Sequence, residues 1–412
     1  MKNVSNSNIF LNFLQGFIKL SSADNILSHD LISTKFTPEI YSTFDTAELN
    51  FYPRPGGEPS TRESVASFIN TFCAPALKYP INKDQLVLVP GVTYTSDLLS
   101  QAIFDEGDSL ITFAPLYYRF PNDFGDRGLI HVESVVGYNP KTNNVELSVE
   151  KFEEKFQQLE AGGKPVKAIL LVNPRNPDGG VFALDELKPI VEWAVKKHSL
   201  YVIFDEIYNL TVFDPLPNGQ KFESGIKIFD NDSSLDQNKL IWTWGLSKIF
   251  SIPGLRVAAI YSPNERLLKS VNRSLMYQGL NVITQHFVRE LLKDHQWISY
   301  FFQINQQLLK TARDYCIEAL KALSTSEKTV RFLKSQSAFF ILVDFSDFLS
   351  GDKSSWEEEQ KLHSKFKAEK VLIVSGQTLF MPNPGWFRIV FSAGPKDELI
   401  EGINRIGKAL KS

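Results

Sequence analysis

The chain has 412 residues, of which 43% are hydrophobic and 22% are charged, a composition typical of globular proteins that excludes wholesale disorder and fibrous repeats. The net charge of −3, from 44 Lys and Arg against 47 Asp and Glu, argues against a nucleic-acid partner. The two cysteines, Cys73 and Cys316, are too few for a disulfide framework or a cysteine zinc site, which favours a reducing compartment.

The N-terminal stretch Ile9–Leu20 is apolar, but Asn12, Gln15 and Lys19 interrupt it and no small-residue cleavage pattern follows. This pattern favours a docking arm over a signal peptide. No run in the chain approaches the roughly 18 apolar residues of a membrane span. We therefore expect a cytoplasmic protein that has no membrane partner.

From Leu86 to Ile260 the sequence repeats a short apolar run, a turn and an amphipathic stretch. The runs show little alternation, which is typical of strands buried on both faces of a parallel sheet. The predicted strands are Leu86–Val89, Leu110–Phe113, Leu129–Val136, Ala168–Val172, Leu200–Phe204, Leu240–Thr243 and Val257–Ile260. The predicted helices are Thr93–Asp105, Val149–Gln158 and Asp185–Lys197. The pattern predicts an α/β fold with a doubly wound, mostly parallel sheet.

A different pattern begins near Gln285, where His286–Leu323 has helical spacing without Gly or Pro. The elements predicted after it are strands Val330–Leu333 and Phe339–Phe345, helix Trp356–Lys370, strands Val371–Val374 and Phe387–Phe391, and helix Asp397–Leu410. This order of helices and strands predicts a smaller α+β domain. We divide the chain into residues 1–48 (an N-terminal arm and part of the small domain), 49–284 (a large domain) and 285–412 (the small domain).

The residues that directly follow the predicted strands are the candidates for a functional site. In open α/β sheets, ligands bind outside the carboxyl ends of the strands. These positions hold Val92, Thr93, Tyr117, Asn176, Asp205, Tyr208, Lys248 and Arg256. Together they bring backbone donors, a hydroxyl, aromatic rings, an amide, a carboxylate, an amine and a guanidinium to one rim.

One end of this rim suits a phosphate group. A helix N-terminus and a fixed cation hold phosphates in proteins. Val92 and Thr93 open a predicted helix, and Arg256 supplies the cation. We therefore expect these three residues to bind the phosphate of a cofactor.

The remaining rim residues suit a pyridine aldehyde bound through the same phosphate. Tyr117 offers a face for stacking, with the adjacent Tyr118 as the alternative. Asp205 is expected to keep the ring nitrogen protonated so that the ring acts as an electron sink. Asn176 and Tyr208 supply donors to the ring's phenolate oxygen. Lys248 supplies the amine that forms an imine and then shuttles the Cα proton.

Three segments resemble the class I/II aminotransferases, fold type I enzymes that use pyridoxal 5′-phosphate. They are Asn-Pro-Arg-Asn-Pro-Asp-Gly at 173–179, Asp-Glu-Ile-Tyr at 205–208, and Ser-Lys at 247–248 with Arg256 eight positions later. The resemblance runs from about Asp24 to the C-terminus. It implies the cofactor and the residue roles given above, with an L-α-amino acid as substrate.

The resemblance implies two further roles. Arg388, in the segment Trp-Phe-Arg-Ile-Val-Phe-Ser, matches the arginine that binds the substrate α-carboxylate through both nitrogens of its fork. Tyr52, in Tyr-Pro-Arg-Pro-Gly-Gly, matches the family tyrosine that reaches the neighbouring subunit's phosphate. The chain is therefore expected to form a homodimer with shared active sites.

Several motifs are also similar in sequence to those of the 1-aminocyclopropane-1-carboxylate synthase branch. Asp24 lies in a segment like that branch's Ala-Glu-Asn-Gln-Leu, one methylene shorter than its glutamate, so we expect a substrate contact there, with a capping or surface acid as the alternative. Gly245 stands where a serine normally contacts the phosphate. Losing that hydrogen bond costs about 1–3 kcal/mol of cofactor binding unless another donor replaces it.

We expect an aminotransferase from this combination of residues. The alternative is a lyase or cyclase that acts on S-adenosyl-methionine or a related substituted amino acid, and a non-catalytic relative is a third possibility. The six histidines show no metal-ligand spacing, so no metal is expected. The sequence does not identify the substrate side chain.

Overall fold

The fold is described from a computed structural model that covers residues 16–216 and 219–412. In chain order its strands are β1 Ile18–Lys19, β2 Leu86–Val89, β3 Ser109–Ala114, β4 His131–Val136, β5 Tyr138–Asn139, β6 Asn144–Val145, β7 Val166–Val172, β8 Tyr201–Asp205, β9 Leu240–Gly245, β10 Ala258–Tyr261, β11 Arg331–Phe332, β12 Phe340–Asp344, β13 Val371–Leu372, β14 Val374–Ser375 and β15 Trp386–Val390. The α-helices are α1 His29–Ser33, α2 Pro59–Phe68, α3 Val92–Ile103, α4 Phe120–Gly128, α5 Val149–Ala161, α6 Leu184–Glu192, α7 Ile226–Asn231, α8 Leu246–Ile249, α9 Glu265–Ser274, α10 Val282–Lys293, α11 His295–Lys321, α12 Trp356–Ala368 and α13 Lys396–Lys411.

A seven-stranded sheet forms the centre of the larger part of the fold. Its order is β2-β10-β9-β8-β7-β3-β4. The strands from β9 to β4 pair in parallel, and β10 runs antiparallel between β2 and β9. Strands β2, β3, β9 and β10 are buried along their whole length, because helices cover both faces of the sheet. The predicted α/β fold with a mostly parallel sheet is confirmed.

The long helix predicted over His286–Leu323 is wrong, since two helices occupy this stretch. Asp294 separates α10 from α11, and its carboxylate accepts a hydrogen bond from the Trp297 backbone N–H at 3.0 Å. The backbone of Asp294 is not helical, with φ −87° and ψ 71°. A capping aspartate inside an apolar periodic run therefore ends one helix and begins the next.

Most predicted strands differ from the structure by one or two residues at an end, and two of these differences have a clear cause. The single strand expected over Val371–Val374 is two short strands, β13 and β14, which belong to different sheets. The strand expected from Leu129 begins two residues later, because Leu129 has a left-handed backbone with φ 53° and closes α4. Helices α2, α4 and α9 are present although the periodicity did not predict them.

The hydrophobic core has two large clusters, one around the seven-stranded sheet and one around a four-stranded sheet of order β11-β12-β15-β14. Helix α11 contributes to both, since Phe302 packs in the first cluster and Leu309 in the second. Ile18 and Leu20 also pack in the second cluster. The first cluster thus extends beyond the predicted boundary at 284/285, and the division of the chain at 48 and 284 stays a prediction.

The N-terminal segment is fixed to the smaller sheet region. β1 pairs in parallel with β13, and the Leu20 backbone N–H donates to the Leu372 carbonyl at 2.8 Å. Most of the predicted arm Ile9–Leu20 lies outside the described residues. Among the helices that are described, none combines the length and apolar character needed to cross a membrane.

Candidate active site

A cavity of about 230 Å³ lies at the carboxyl ends of the parallel strands. Of the predicted site residues, those that line it are Val92, Thr93, Tyr117, Asn176, Asp205, Tyr208, Lys248, Arg256 and Arg388. Most of them follow a strand of the large sheet, whereas Arg388 comes from the centre of β15 in the smaller sheet. The cavity therefore lies where the two core regions meet.

One end of the cavity is cationic and rich in donors. Gly91 precedes α3 with φ +96°, and a side chain at that position would collide with the Arg256 guanidinium. The Arg256 side chain therefore lies directly against the N-terminus of α3. Its only protein hydrogen bonds among the described residues are long, at 3.3 Å to the Pro253 carbonyl and 3.4 Å to the Pro90 carbonyl. This arrangement suits an anion such as phosphate.

The cavity lining also includes acidic side chains. Asp205 ends β8 and faces the cavity, while the next residue, Glu206, accepts a hydrogen bond from the Trp242 indole N–H at 2.8 Å inside the core. Burial raises the pKa of Asp205 to about 6, and a hydrogen bond from the Ile207 N–H at 3.1 Å partly opposes that rise. The carboxylate is therefore ionised at neutral pH and available to a cationic ring nitrogen.

Lys248 also lines the cavity. It follows β9 on the single-turn helix α8, and its ammonium donates to the Ala23 carbonyl. Burial lowers the pKa of Lys248 to about 8; the Asp24 carboxylate opposes this, and the Arg388 and Arg256 guanidinium groups lower it further. A substantial fraction of this amine is therefore neutral and nucleophilic near pH 8.

Arg388 is buried, and its hydrogen bonds use only part of its donor capacity. Its Nη1 donates to Asn176 Oδ1 at 2.9 Å and its Nη2 to the Ser21 carbonyl at 2.7 Å. Its Nε has no hydrogen-bond partner among the described residues. Because an unpaired buried donor is costly, this guanidinium is suited to receive an anionic ligand.

The loop that carries Asn176 is held by its own side chains. Arg175 forms a buried salt bridge with Asp178 at 2.6 Å. The Asn173 side chain donates to the Phe182 carbonyl at 3.0 Å and accepts from the Phe182 N–H at 2.9 Å. These contacts fix the Asn-Pro-Arg-Asn-Pro-Asp-Gly segment after β7, so that Asn176 reaches the cavity.

A family model described as aminotransferase class I and II matches residues 16–406. The chain belongs to that family. Its cofactor is pyridoxal 5′-phosphate. The cavity fits that cofactor, because its lining holds a cation beside a helix N-terminus for the phosphate, a carboxylate for the ring nitrogen and a lysine of lowered pKa for the aldehyde.

Two mouse proteins are similar to this chain over most of its length. Mouse 1-aminocyclopropane-1-carboxylate synthase-like protein 1 is 32% identical over 404 residues, which cover 96% of this chain and 76% of the mouse protein. The mouse protein named probable inactive 1-aminocyclopropane-1-carboxylate synthase-like protein 2 is 32% identical over 386 residues, and the match covers 92% of this chain but 63% of that relative, less than two thirds of its length.

Solved structures of aminotransferases share the fold. A Pyrococcus horikoshii kynurenine aminotransferase in complex with PMP superposes with a TM-score of 0.77 and 18% identity, covering 100% of this chain and 95% of the other. The comparison confirms the fold type I architecture.

Two predicted site residues lie outside the cavity lining of their own chain. The Tyr52 side chain is fully exposed, so any contact with a cofactor phosphate requires another chain. Asp24 is half-buried, and its carboxylate acts on Lys248 through its charge, while its backbone carbonyl accepts from Ser392 at 2.7 Å. The roles of Tyr52 and Asp24 stay predictions.

The cavity also contains polar residues that the sequence analysis did not single out for a role. Ser21, Ser96, Asp123 and Ser247 all line it. Asp123 is nearly inaccessible to solvent, and both of its hydrogen bonds from Arg119 fall on Oδ1, at 3.2 and 3.0 Å. The opposite charges of Arg119 and Asp123, four residues apart and soon after Tyr117, are the sequence feature that could have indicated Asp123. Serines carry no comparable signal.

We expect the rate at which the apoprotein attaches its cofactor to rise with pH up to about 8 and then to level off. The neutral amine of Lys248 is the attacking form, so the rate increases roughly tenfold per pH unit below that pKa. In Asp24→Asn the plateau is reached at lower pH, because the charge that raises the pKa of Lys248 is lost. Stopped-flow absorbance measures both profiles.

The matched control for this experiment is Asp30→Asn, which removes an exposed carboxylate from the first turn of α1. Its profile should coincide with that of the wild type. A profile of Asp24→Asn that also coincides with the wild type would show that the Asp24 charge does not reach Lys248.

Proposed function

We propose that the chain is an active pyridoxal-phosphate enzyme that labilises a bond at Cα of an L-α-amino acid, and that its reaction is amino-group transfer. The supporting observation is that Lys248, with a lowered pKa of about 8, shares one cavity with the unpaired Nε of Arg388 and with ionised Asp205. An amine, an acceptor for a carboxylate and a partner for a ring nitrogen are the groups that this chemistry needs.

In this proposal each part of the cofactor has its own residues. Val92, Thr93 and Arg256 bind the phosphate. Asn176 and Tyr208 bind the 3′-oxygen, and Tyr117 stacks on the ring. Asp205 holds the proton on the ring nitrogen, because its buried carboxylate lines the cavity.

The bound cofactor withdraws electrons from Cα of the substrate. Arg388 binds the α-carboxylate and thereby orients Cα in the cavity. Lys248, which lines the same cavity, would accept the Cα proton as a neutral amine and later release it as an ammonium. Burial of Lys248 and Asp205 keeps bulk water from competing for that proton.

A lyase or cyclase reaction on S-adenosyl-methionine is the second candidate. It is supported by the names of the mouse relatives, which refer to 1-aminocyclopropane-1-carboxylate synthase. In that reaction the Cα carbanion displaces the γ-sulfur within the same molecule. The two candidates therefore share the proton removal by Lys248 and differ only in the step that follows.

One experiment separates the two candidates. The purified holoprotein is incubated with S-adenosyl-methionine, and the products are identified by mass spectrometry. Aminocyclopropane carboxylate together with methylthioadenosine would establish the cyclase reaction. Formation of the corresponding 2-oxo acid, with the amino group passed to an added oxo-acid acceptor, would establish transamination.

A non-catalytic role is the third candidate, since one similar mouse protein is named probable inactive. The charged groups of the cavity argue against it here. Lys248, Asp205, Arg256 and Arg388 all line the same cavity. A binding scaffold has no need of a half-buried lysine that lines the cavity with its pKa lowered to about 8.

We further propose a homodimer in which Tyr52 of each chain reaches the phosphate bound by the other. The support is an exposed apolar group on the described surface, in which Phe51 is 74% exposed, Tyr52 100%, Met276 74% and Tyr277 89%. The backbone at Gly56 lies against Asn272 of α9, so the segments that carry these side chains approach each other. Large exposed aromatic groups are typical of an interface between proteins.

In Tyr52→Phe we expect the dissociation constant of the cofactor to rise by roughly tenfold, because one hydrogen bond to the phosphate is lost. Absorbance titration of the apoprotein measures the constant. Tyr79→Phe, which alters another exposed tyrosine, is the control and should bind like the wild type.

Mixing two defective variants tests whether the sites are shared. A heterodimer of Tyr52→Phe and Lys248→Ala contains one site in which both residues are intact. Recovery of tight cofactor binding on mixing is expected. An unchanged affinity in Tyr52→Phe, or no recovery on mixing, would contradict the shared site.

A further inference from the structure

Glu359 lies in the first turn of α12, at the end of the run Glu357-Glu358-Glu359. A run of acidic residues on a helix normally faces solvent, and the Glu357 side chain does so. Glu359 is instead buried, with 0% of its surface exposed. A buried carboxylate is costly unless hydrogen bonds or a cation stabilise it. Its partners therefore indicate what it holds in place.

The Glu359 carboxylate holds both ends of the loop 376–385, which joins β14 to β15. Its Oε1 accepts a hydrogen bond from the Gln377 N–H at 2.8 Å, and its Oε2 accepts one from the Gly385 N–H at 2.7 Å. Burial raises the pKa of Glu359, and the backbone N–H groups around the carboxylate oppose that rise. One side chain therefore fixes the points at which the loop leaves one strand and enters the next.

The second of these points lies directly before β15, the strand that carries Arg388. Trp386 and Arg388 are two residues apart on this strand, so their side chains point to the same face of the sheet. The Trp386 ring packs against the Tyr138 ring with 5.2 Å between their centroids, and Arg388 lines the cavity. Since a slip of one residue in a strand reverses the face of every side chain, a fixed start of β15 keeps Arg388 in the cavity.

The middle of the same loop contacts the segment that leads to Tyr117. The Leu379 carbonyl accepts a hydrogen bond from the Leu116 N–H at 3.0 Å. Leu379 also packs in the core cluster around the seven-stranded sheet, although the loop joins two strands of the smaller sheet. The loop thus connects the strand of Arg388 to the part of the cavity that we propose for the cofactor ring.

We propose that Glu359 is a positioning residue of the substrate site, which acts through the loop 376–385 to fix the place of Arg388 relative to the cofactor ring. The inference deepens the proposed function and rests on it, since the group that Arg388 binds is the α-carboxylate of the amino acid. Glu359 is not among the residues that line the cavity, so it acts only through the loop. An arginine that is already held in place loses less conformational entropy when the substrate binds.

The first test replaces one carboxylate oxygen of Glu359 with an amide group. Glu359→Gln keeps the size of the side chain but leaves a backbone N–H opposite another donor. We expect the dissociation constant of the holoprotein for 2-methylalanine, an amino acid without a Cα hydrogen, to rise roughly tenfold. The KM of a substrate should rise by a similar factor with little change in kcat, because Arg388 binds the carboxylate in the ground state and the transition state alike. Calorimetry measures the dissociation constant, and steady-state kinetics measures KM and kcat.

Two controls separate positioning from general stability. Glu357→Gln makes the same change on an exposed residue two positions earlier and should bind 2-methylalanine like the wild type. Ile406→Ala removes a buried side chain from the second core cluster, so it should lower the unfolding temperature and leave this binding unchanged. Glu359→Asp keeps the charge but is too short to reach both N–H groups, so it should weaken binding as Glu359→Gln does. Unchanged binding in both folded variants of Glu359 would overturn the proposal.

The second test combines Glu359→Gln with Arg388→Ala. If Glu359 acts through Arg388, the double variant should bind 2-methylalanine no more weakly than Arg388→Ala alone, because no guanidinium remains to be positioned. A further tenfold loss in the double variant would also overturn the proposal, since Glu359 would then act through another part of the protein.

The wild type distinguishes failure of this inference from failure of the proposed function. If the wild-type holoprotein binds 2-methylalanine but converts no amino acid, the proposed reaction fails and the binding measurements still decide the role of Glu359. If the wild type converts amino acids and both variants of Glu359 behave like it, the proposed function stands and the positioning role is refuted. If the wild type binds no amino acid, both fail.

Discussion

Replacing Lys248 with alanine should abolish the covalent attachment of the cofactor and the turnover of any amino acid. Lys248 lines the cavity with a pKa of about 8, and in our proposal it is the amine that both carries the cofactor and moves the Cα proton. Loss of a proton-transfer group alone lowers a rate by about 10²–10⁴-fold. Borohydride reduction followed by peptide mass spectrometry measures the attachment, and product formation measures the turnover.

The matched control is Lys269→Ala, which removes an exposed lysine on α9 that pairs with Glu265 at 3.2 Å. It should retain both attachment and turnover. A Lys248→Ala variant in which borohydride still traps the cofactor on the chain would refute the assignment of Lys248. Loss of attachment in both variants would point to damage to the fold rather than to the site.

The sequence alone was sufficient to predict that the residues following strands of the large sheet line one cavity. Lys248 follows β9 and Asp205 ends β8, and strands that run in parallel bring their carboxyl ends to one edge of the sheet. Side chains at these positions are therefore neighbours although they are far apart in the chain. The same logic predicted the helix N-terminus at Val92, where Gly91 provides the turn that starts α3.

Residues that reach the cavity from outside that sheet were harder to predict. The Ser21 carbonyl binds Arg388 only because the short strand β1 pairs with β13, and a two-residue strand leaves no periodicity to read. Asp123 reaches the cavity from α4, a helix with a weak apolar pattern that was not predicted. The role of Arg388 was predicted only from the family resemblance. In sequence, β15 is not distinguishable from any other buried strand, so nothing else marks its central residue.

The break at Asp294 is a feature of the fold that sequence periodicity also could not predict. Periodicity continues through the break because α10 and α11 both bury apolar faces, and only the capping carboxylate marks the change of direction. The glycine at position 245 is of the same kind. Whether a side chain fits there depends on the Val257 carbonyl oxygen, 3.0 Å from an added Cβ, which only the folded sheet brings beside it.

Replacing Arg388 with alanine should raise the concentration of amino acid needed for half-maximal rate by on the order of 10²-fold or more. The guanidinium is buried, and its Nε has no partner among the described residues, so a substrate carboxylate is the anion that would complete its hydrogen bonds. Steady-state kinetics with a saturated cofactor measures the effect. Arg388→Lys should be intermediate, because the charge remains but the fork that binds both carboxylate oxygens is lost.

Measuring the affinity for the cofactor shows whether the higher requirement for amino acid arises at the substrate site. Arg388 donates to Asn176 Oδ1, so the affinity for the cofactor is measured in the same variants to detect a shift of Asn176. Arg331→Ala, which removes a half-exposed arginine on β11, is the control and should leave the kinetics unchanged. If Arg388→Ala requires no more amino acid than the wild type, another group binds the α-carboxylate. If it loses the cofactor as well, Arg388 supports the whole cavity rather than the substrate alone.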